Sequence, residues 1–341
     1  GFHAGFAITT GVENTLIGSL AGDALTTGAQ NTAIGYEALS TEDAHGNNTA
    51  LGYRSLKTLN AGADAANTAV GYNSGAAMTT GLYNTLVGGN AGSSITEGGG
   101  NTIMGLNAGD AITTGSSNTA IGQEALSAED EHGLNTAIGF QALKVQNAGA
   151  NANNTAVGYR SGYAVTTGTG NTLVGGQAGD ALTTGEGNVA VGDGSLGDET
   201  TGGNNVAIGK NAMNSSQLSQ HNVAIGNNAL VNVTNGSLKN TYNIGIGSEA
   251  GNDITIGERN VLVGAFSGDA ITEGLYNVAI GYQALSANVD SDSNVAVGYN
   301  TLALMTGTAG NTYNTAVGHQ AGQSITTGVQ NTLIGSLAGD A

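Results

Sequence analysis

The chain has 341 residues, of which 59 are glycine and none is proline, cysteine or tryptophan; the glycine share is more than twice the usual ~7%. Seven Lys and Arg stand against 25 Asp and Glu, a net charge of -18, which argues against nucleic acid and an anionic membrane surface as partners, because both need clustered cations. Without cysteine there are neither disulfides nor thiolate metal sites, and no apolar run approaches the ~20 residues of a membrane helix, so no membrane insertion is expected.

From the N-terminus, the first recognisable element is Asn14-Thr-Leu-Ile-Gly18, and its pattern returns down the whole chain: Asn, then Thr, Val or Ile, a small or aliphatic residue, a larger aliphatic, and Gly. The asparagine falls at Asn14, Asn31, Asn48, Asn67, Asn84, Asn101, Asn118, Asn135, Asn154, Asn171 and nine later positions ending at Asn331, 19 in all. Fourteen of the eighteen spacings are 17 residues, and the others are 19, 19, 21 and 20. The longer repeats add residues only before the next asparagine, as between Asn60 and Ala66, so insertions map to one corner. A longer period overlies the first, since residues 31–46 return nearly unchanged at 118–133. Residues 1–24 and 318–341 agree at 19 of 24 positions, which predicts a slice of a longer array.

Numbering each repeat from its asparagine, glycine at position 5 and β-branched residues at positions 2 and 4 weaken any helix. The repeat reads instead as short strands bent at glycines: NTAIG, then YEAL or SLAG, then AITTG. Stacking such coils predicts an all-β protein, a parallel β-solenoid of about 19 rungs, as one continuous array over 1–341. Position 4 is aliphatic in every rung and is expected to form the inward stripe. The asparagines are expected to hydrogen-bond amide to amide as a ladder, and the position-5 glycine to supply a positive φ or a close backbone approach.

A volume rule supports the core. Where position 9 is Gly, as at Gly22, Gly92 and Gly109, position 12 is aliphatic, as at Leu25, Ile95 and Ile112; where position 9 is Leu or Met, position 3 is always Ala. Side chains at 3, 9 and 12 therefore share a fixed volume. Position 3 is apolar or Gly throughout, so strands greasy on both faces predict a partner on one of them, through position 3 or through positions 2 and 4.

At NTAIGYEAL and its copies the chain resembles the head repeats of trimeric autotransporter adhesins, and still more the NTAIGYQAL-type arrays of tail-fibre-like proteins from phages and bacteria. The resemblance covers essentially the whole chain and implies a left-handed parallel β-roll, usually homotrimeric, in the head or shaft of an extracellular fibre on a cell surface or virion. The 17-residue rung is longer than the adhesin repeat.

Candidate chemistry is sparse. His45 and His132 occupy equivalent positions five rungs apart, about 24 Å at ~4.8 Å per rung, too far to share a metal, and read as loop histidines on a polar corner. The pairs Glu42 and Asp43, Glu129 and Asp130, and Asp198 and Glu199 are adjacent in sequence and lack a companion cluster of Lys or Arg, which argues against acid–base catalysis. Asp at position 10 (Asp23, Asp110, Asp180, Asp269, Asp340) reads as a solvated acidic face, with weak calcium binding as the other reading; no other cofactor is expected. Tyr36, Tyr53, Tyr72, Tyr159, Tyr282 and Tyr299 at position 6, with Phe140, either cover the corner after the position-5 glycine, line a subunit seam, or contact a glycan or protein receptor. The expected function is a non-catalytic structural and adhesive rod of an extracellular fibre. A self-assembling filament subunit and a polysaccharide-acting, tail-spike-like enzyme are the competing readings.

Overall fold

Positions 2–4 of every turn form a three-residue strand, from Thr15–Ile17 at the first to Thr332–Ile334 at the last. The computed structural model describes residues 1–307 and 309–340; Thr308 and Ala341, which belong to the 1–341 array read from the sequence, lie outside the described residues. The chain is an all-β parallel solenoid of about 19 turns with a 17-residue period, and no helix occurs among the described residues. By internal packing it falls into two units, Gly1–Gly170 and a second beginning at Asn171. The first holds nine of the repeated strands and the second ten. Within each unit consecutive strands pair parallel and in register: Thr32 opposite Thr49 and Ala33 opposite Ala50 in the first, Val206 opposite Val223 and Ala207 opposite Ala224 in the second.

The position-5 glycine does both things expected of it. Its φ lies between +125° and +145° in every turn, and a Cβ on Gly35 or Gly192 would collide with the carbonyl of the glycine one turn on. No other residue combines that φ with that approach.

The other two sides of the turn are not the strands predicted at YEAL and AITTG; they are built from turns and bends. Position 7 has φ near +55° in every turn, as at Glu37, Arg54 and Gln283, and so does position 9, whether Gly92 or Leu39. Two left-handed residues so close together interrupt extended pairing. Their amides instead bond across turns: Glu37 N–H donates to Ser19 O at 3.1 Å, and Leu39 N–H donates to Ser55 O at 3.0 Å.

The asparagine ladder forms, with a different leading bond. Asn31 to Asn154 and Asn188 to Asn314 are buried to within 1%. Each Oδ1 accepts the backbone N–H of the next asparagine, as in Asn84 to Asn67 at 2.8 Å and Asn205 to Asn188 at 3.0 Å. The Nδ2 group donates to the carbonyl at position 15 of its own repeat, as in Asn67 to Gly81 at 2.8 Å. Amide-to-amide contacts are secondary and longer, at 3.3 Å from Asn84 to Asn67.

The assignment of position 4 to the interior is overturned. The asparagine at position 1 points inward, so along a strand position 3 follows it and positions 2 and 4 point out. Ala33, Leu86, Ile103 and Leu173 are fully buried, while Ile17, Leu51, Met104 and Ile208 are exposed. The core of each unit consists of positions 1, 3, 8, 9, 12 and 15.

Insertions do gather at the corner before the asparagine. In the second unit they form extra parallel pairs, Gln217–Gln220 with Thr234–Asn240 and Ser291–Asp292 with Gly310–Asn311.

The shared volume is visible atom by atom. A Cβ on Gly109 would lie 2.9 Å from Cδ1 of both Ile103 and Ile112 in its own turn. At Gly75 the neighbours come from adjoining turns, Leu86 at 2.7 Å and Leu56 at 2.9 Å, so the rule extends between turns. Leu occupies the same left-handed position in other turns, so Gly109→Leu is expected to cost about 1–3 kcal/mol mainly through overpacking. Adding Ile103→Ala and Ile112→Gln is expected to recover much of that loss in a denaturant melt; equal destabilisation of single and triple variants would contradict the shared volume.

Candidate functional site

The outer face of the corner after the position-5 glycine carries the most distinctive groups. In the first unit Tyr36, Tyr53 and Tyr72 stack as a ladder, with centroids 5.5 and 5.2 Å apart and planes within 16°; Phe140 and Tyr159 form a second, at 5.6 Å and 7°. In the second unit Tyr282, Tyr299 and His319 stack at 5.6 and 5.2 Å, and Phe266 meets Tyr282 edge-on. These spacings suit offset stacking, so the ring faces are partly spent on each other, while the rings remain 38–56% exposed at Tyr36, Tyr53, Tyr72, Tyr159, Tyr282 and Tyr299. All six tyrosines predicted as contact residues therefore lie outside, in three groups.

The cations of the first unit gather beside these rings. Glu37 Oε2 accepts from Arg54 Nε at 2.9 Å and pairs with Lys57 Nζ at 2.7 Å; the Lys57 ammonium foremost, with the Tyr36 hydroxyl and Arg54, holds the Glu37 carboxyl down at about 2. The Arg54 guanidinium also lies 5.0 Å from the Tyr53 centroid. At the second ladder Lys144 Nζ and Gln141 Nε2 both meet Glu124 Oε2, and Arg160 sits 4.1 Å over Tyr163. An acidic chain thus keeps four of its seven cations at its aromatic corner.

A further aromatic line was missed in the sequence. It runs at the residue before each asparagine, where His221 stacks on Tyr242 at 5.1 Å and Arg259 lies over Tyr242 and Tyr276 at 6.0 and 5.5 Å. The signal was present, since Tyr83, Tyr242, Tyr276 and Tyr313 all share that position, but the variable repeat lengths hid it.

Acids also reach the interior. Glu42, Glu129 and Glu199 at position 12 point inward and are fully buried, and burial pushes the Glu129 carboxyl up. Glu42 and Glu129 are joined by the equivalent histidines His45 and His132, which are half-buried. The position-10 aspartates join no group of three metal-ligating side chains among the described residues. Nor are they a uniformly solvated face: Asp269 is half-buried, with a buried Oδ1 that lacks a hydrogen-bond partner.

No enclosed cavity is found among the described residues, so contact surfaces are the outer faces of the turns. No family model matches the chain, and no curated protein matches it.

Burial, aided by Asp253 and Glu249, raises the Asp269 carboxyl from 3.8 to about 6. A carboxyl whose folded value is raised favours folding in its protonated form, so this contribution is complete below pH ~4 and is lost as pH rises through about 6. Asp269→Asn is therefore expected to raise the melting temperature at pH 7.5 by a few degrees and to leave it unchanged at pH 3.5; equal shifts at both values would contradict the assignment.

Proposed function

We propose that this chain is a non-catalytic, structural and adhesive segment of an extracellular fibre, displayed on a cell surface or virion and associated as a homotrimer. The observation that carries the adhesive reading is the exposed ring ladder Tyr36–Tyr53–Tyr72 with its Arg54–Glu37–Lys57 cluster. Aromatic edges, phenolic hydroxyls and a cluster of two cations on one carboxylate oxygen together suit weak contacts with a glycan or a protein receptor. The ladder ends on Ser19 and Gly89 at the equivalent positions of the flanking turns, which leaves the terminal ring faces free of an aromatic neighbour. Contacts of this kind are weak singly and gain by repetition.

The exposed aliphatic side chains of position 4, next to Thr or Val at position 2, support association. With position 3 spent in the core, this outer strand face is the apolar stripe left for a partner chain, and covering it removes apolar area from water. A left-handed roll and trimeric packing along this face are the form that the repeat resemblance implies.

One experiment tests both halves. Sedimentation of the intact segment should give three times the chain mass, and binding to host cells or glycan arrays should fall stepwise as Tyr36, Tyr53 and Tyr72 are changed to Ser. A cooperative melt at monomer mass contradicts the association. Absence of binding in the parent leaves a spacer, and turnover of a polysaccharide contradicts the non-catalytic reading.

A further inference from the structure

Three turns place Glu at position 12, and they satisfy it differently. The Glu199 carboxylate accepts the backbone N–H groups of Thr200, Thr201, Gly202, Leu218 and Ser219 and the Ser219 hydroxyl, at 2.7–3.3 Å. That cradle of donors compensates a buried negative charge without a counter-ion. Glu42 accepts only two N–H groups, from His45 at 3.1 Å and Ala61 at 3.3 Å. Glu129 accepts one, from His132 at 3.2 Å, with a long contact of 3.5 Å from Asn135 Nδ2. Both carboxylates are wholly buried, and among the described residues neither pairs with Lys or Arg. A buried carboxyl in this condition is relieved by a partner, by a bound cation or by taking up a proton, and a histidine nitrogen beside it favours the cation.

The turns of Glu42 and Glu129 differ from that of Glu199 at position 15, where His45 and His132 replace Gly202. The His45 Nδ1 lies 3.3 Å from Glu42 Oε1 and the His132 Nδ1 3.7 Å from Glu129 Oε1. Each Nδ1 atom is itself buried and makes no hydrogen bond. Asp43 and Asp130 complete the groups, and the ligand atoms of each trio lie within 4.8 Å of one another. Asp130 Oδ1 accepts the Glu131 N–H at 2.7 Å, which leaves its other oxygen. Two donors at zinc bond lengths of about 2.0–2.2 Å, subtending a near-tetrahedral angle, stand roughly 3.3–3.6 Å apart. The nitrogen–oxygen separations bracket that range without forming a hydrogen bond.

We propose that Glu42, Asp43 and His45, and separately Glu129, Asp130 and His132, each bind one divalent transition-metal ion of the zinc class. Imidazole nitrogen favours such an ion over calcium, which takes six to eight oxygens. Neutral histidine would ligate through Nδ1, and three protein ligands leave one position for water. The ion supplies the counter-charge that the Glu199 cradle makes unnecessary. It also ties the 42–45 and 129–132 corners, each of which precedes one of the 19-residue repeats.

The remaining histidines provide an internal control, because they pack on rings: His3 between Phe2 and Phe6, His221 on Tyr242 and His319 on Tyr299. Chelator-treated full-length chain is titrated with zinc chloride by calorimetry and then melted with and without zinc. Two saturable sites per chain and a raised melting temperature are expected, with calcium chloride giving neither. His45→Gln and His132→Gln should each remove one site and the double variant both, while His319→Gln keeps two. Asp43→Asn, at an exposed side chain, should weaken one site at least tenfold, and it remains informative if a histidine variant misfolds. Absence of saturable zinc binding, or a stoichiometry unchanged in the double histidine variant, overturns the proposal.

Discussion

The close approach of backbone at position 5 governs the rest of the molecule. At that point one turn lies so near the next that a methyl group would strike its carbonyl oxygen, and the φ there is open almost only to glycine. Repeating this contact from turn to turn within each unit fixes the register of the strand immediately before it. The parity of the strand then follows: asparagine and position 3 go in, and positions 2 and 4 go out. Interior volume, the asparagine bonds and the outer apolar stripe are consequences of that one alignment.

The period, the glycine requirement, the insertion corner and the volume shared by positions 3, 9 and 12 were legible in the sequence because each leaves a compositional trace. The facing of position 4 was not. Ile34 and Ala33 are both apolar, and composition alone favours putting the larger one inside; only the buried Asn31, two residues before Ala33, reverses the choice. The left-handed Leu39 and Leu126 were likewise invisible, because leucine carries no signature of that conformation. For the candidate site, the position-6 tyrosines were found, but their mutual stacking was not, since it depends on which turns lie next to each other. The burial of Glu42 and Glu129 had no trace in the sequence, because carboxylates are seldom buried without a partner and position 12 is aliphatic in most other turns.

Charge is distributed with more discrimination than a net value of -18 suggests. Some acids lie in the core, held by backbone amides at Glu199 or facing histidine at Glu42 and Glu129. Others, such as Glu37 and Glu124, anchor cations beside exposed rings. The same residue type therefore does interior and surface work, separated by five positions in the turn: position 7 faces out and position 12 faces in.

The left-handed residues at positions 7 and 9 also bear on how such a chain can become ordered. Each non-glycine residue held there costs about 1–2 kcal/mol in isolation, and the amides that reward it bond in opposite directions, position 7 to the turn before and position 9 to the turn after. A lone turn would bear the whole conformational penalty with neither reward. Order must therefore begin with several turns at once, and an end turn, short of one neighbour, is the natural place for melting to start. A solenoid of this kind behaves as a zipper with a high initiation threshold, in which single repeats have no independent existence as folded units.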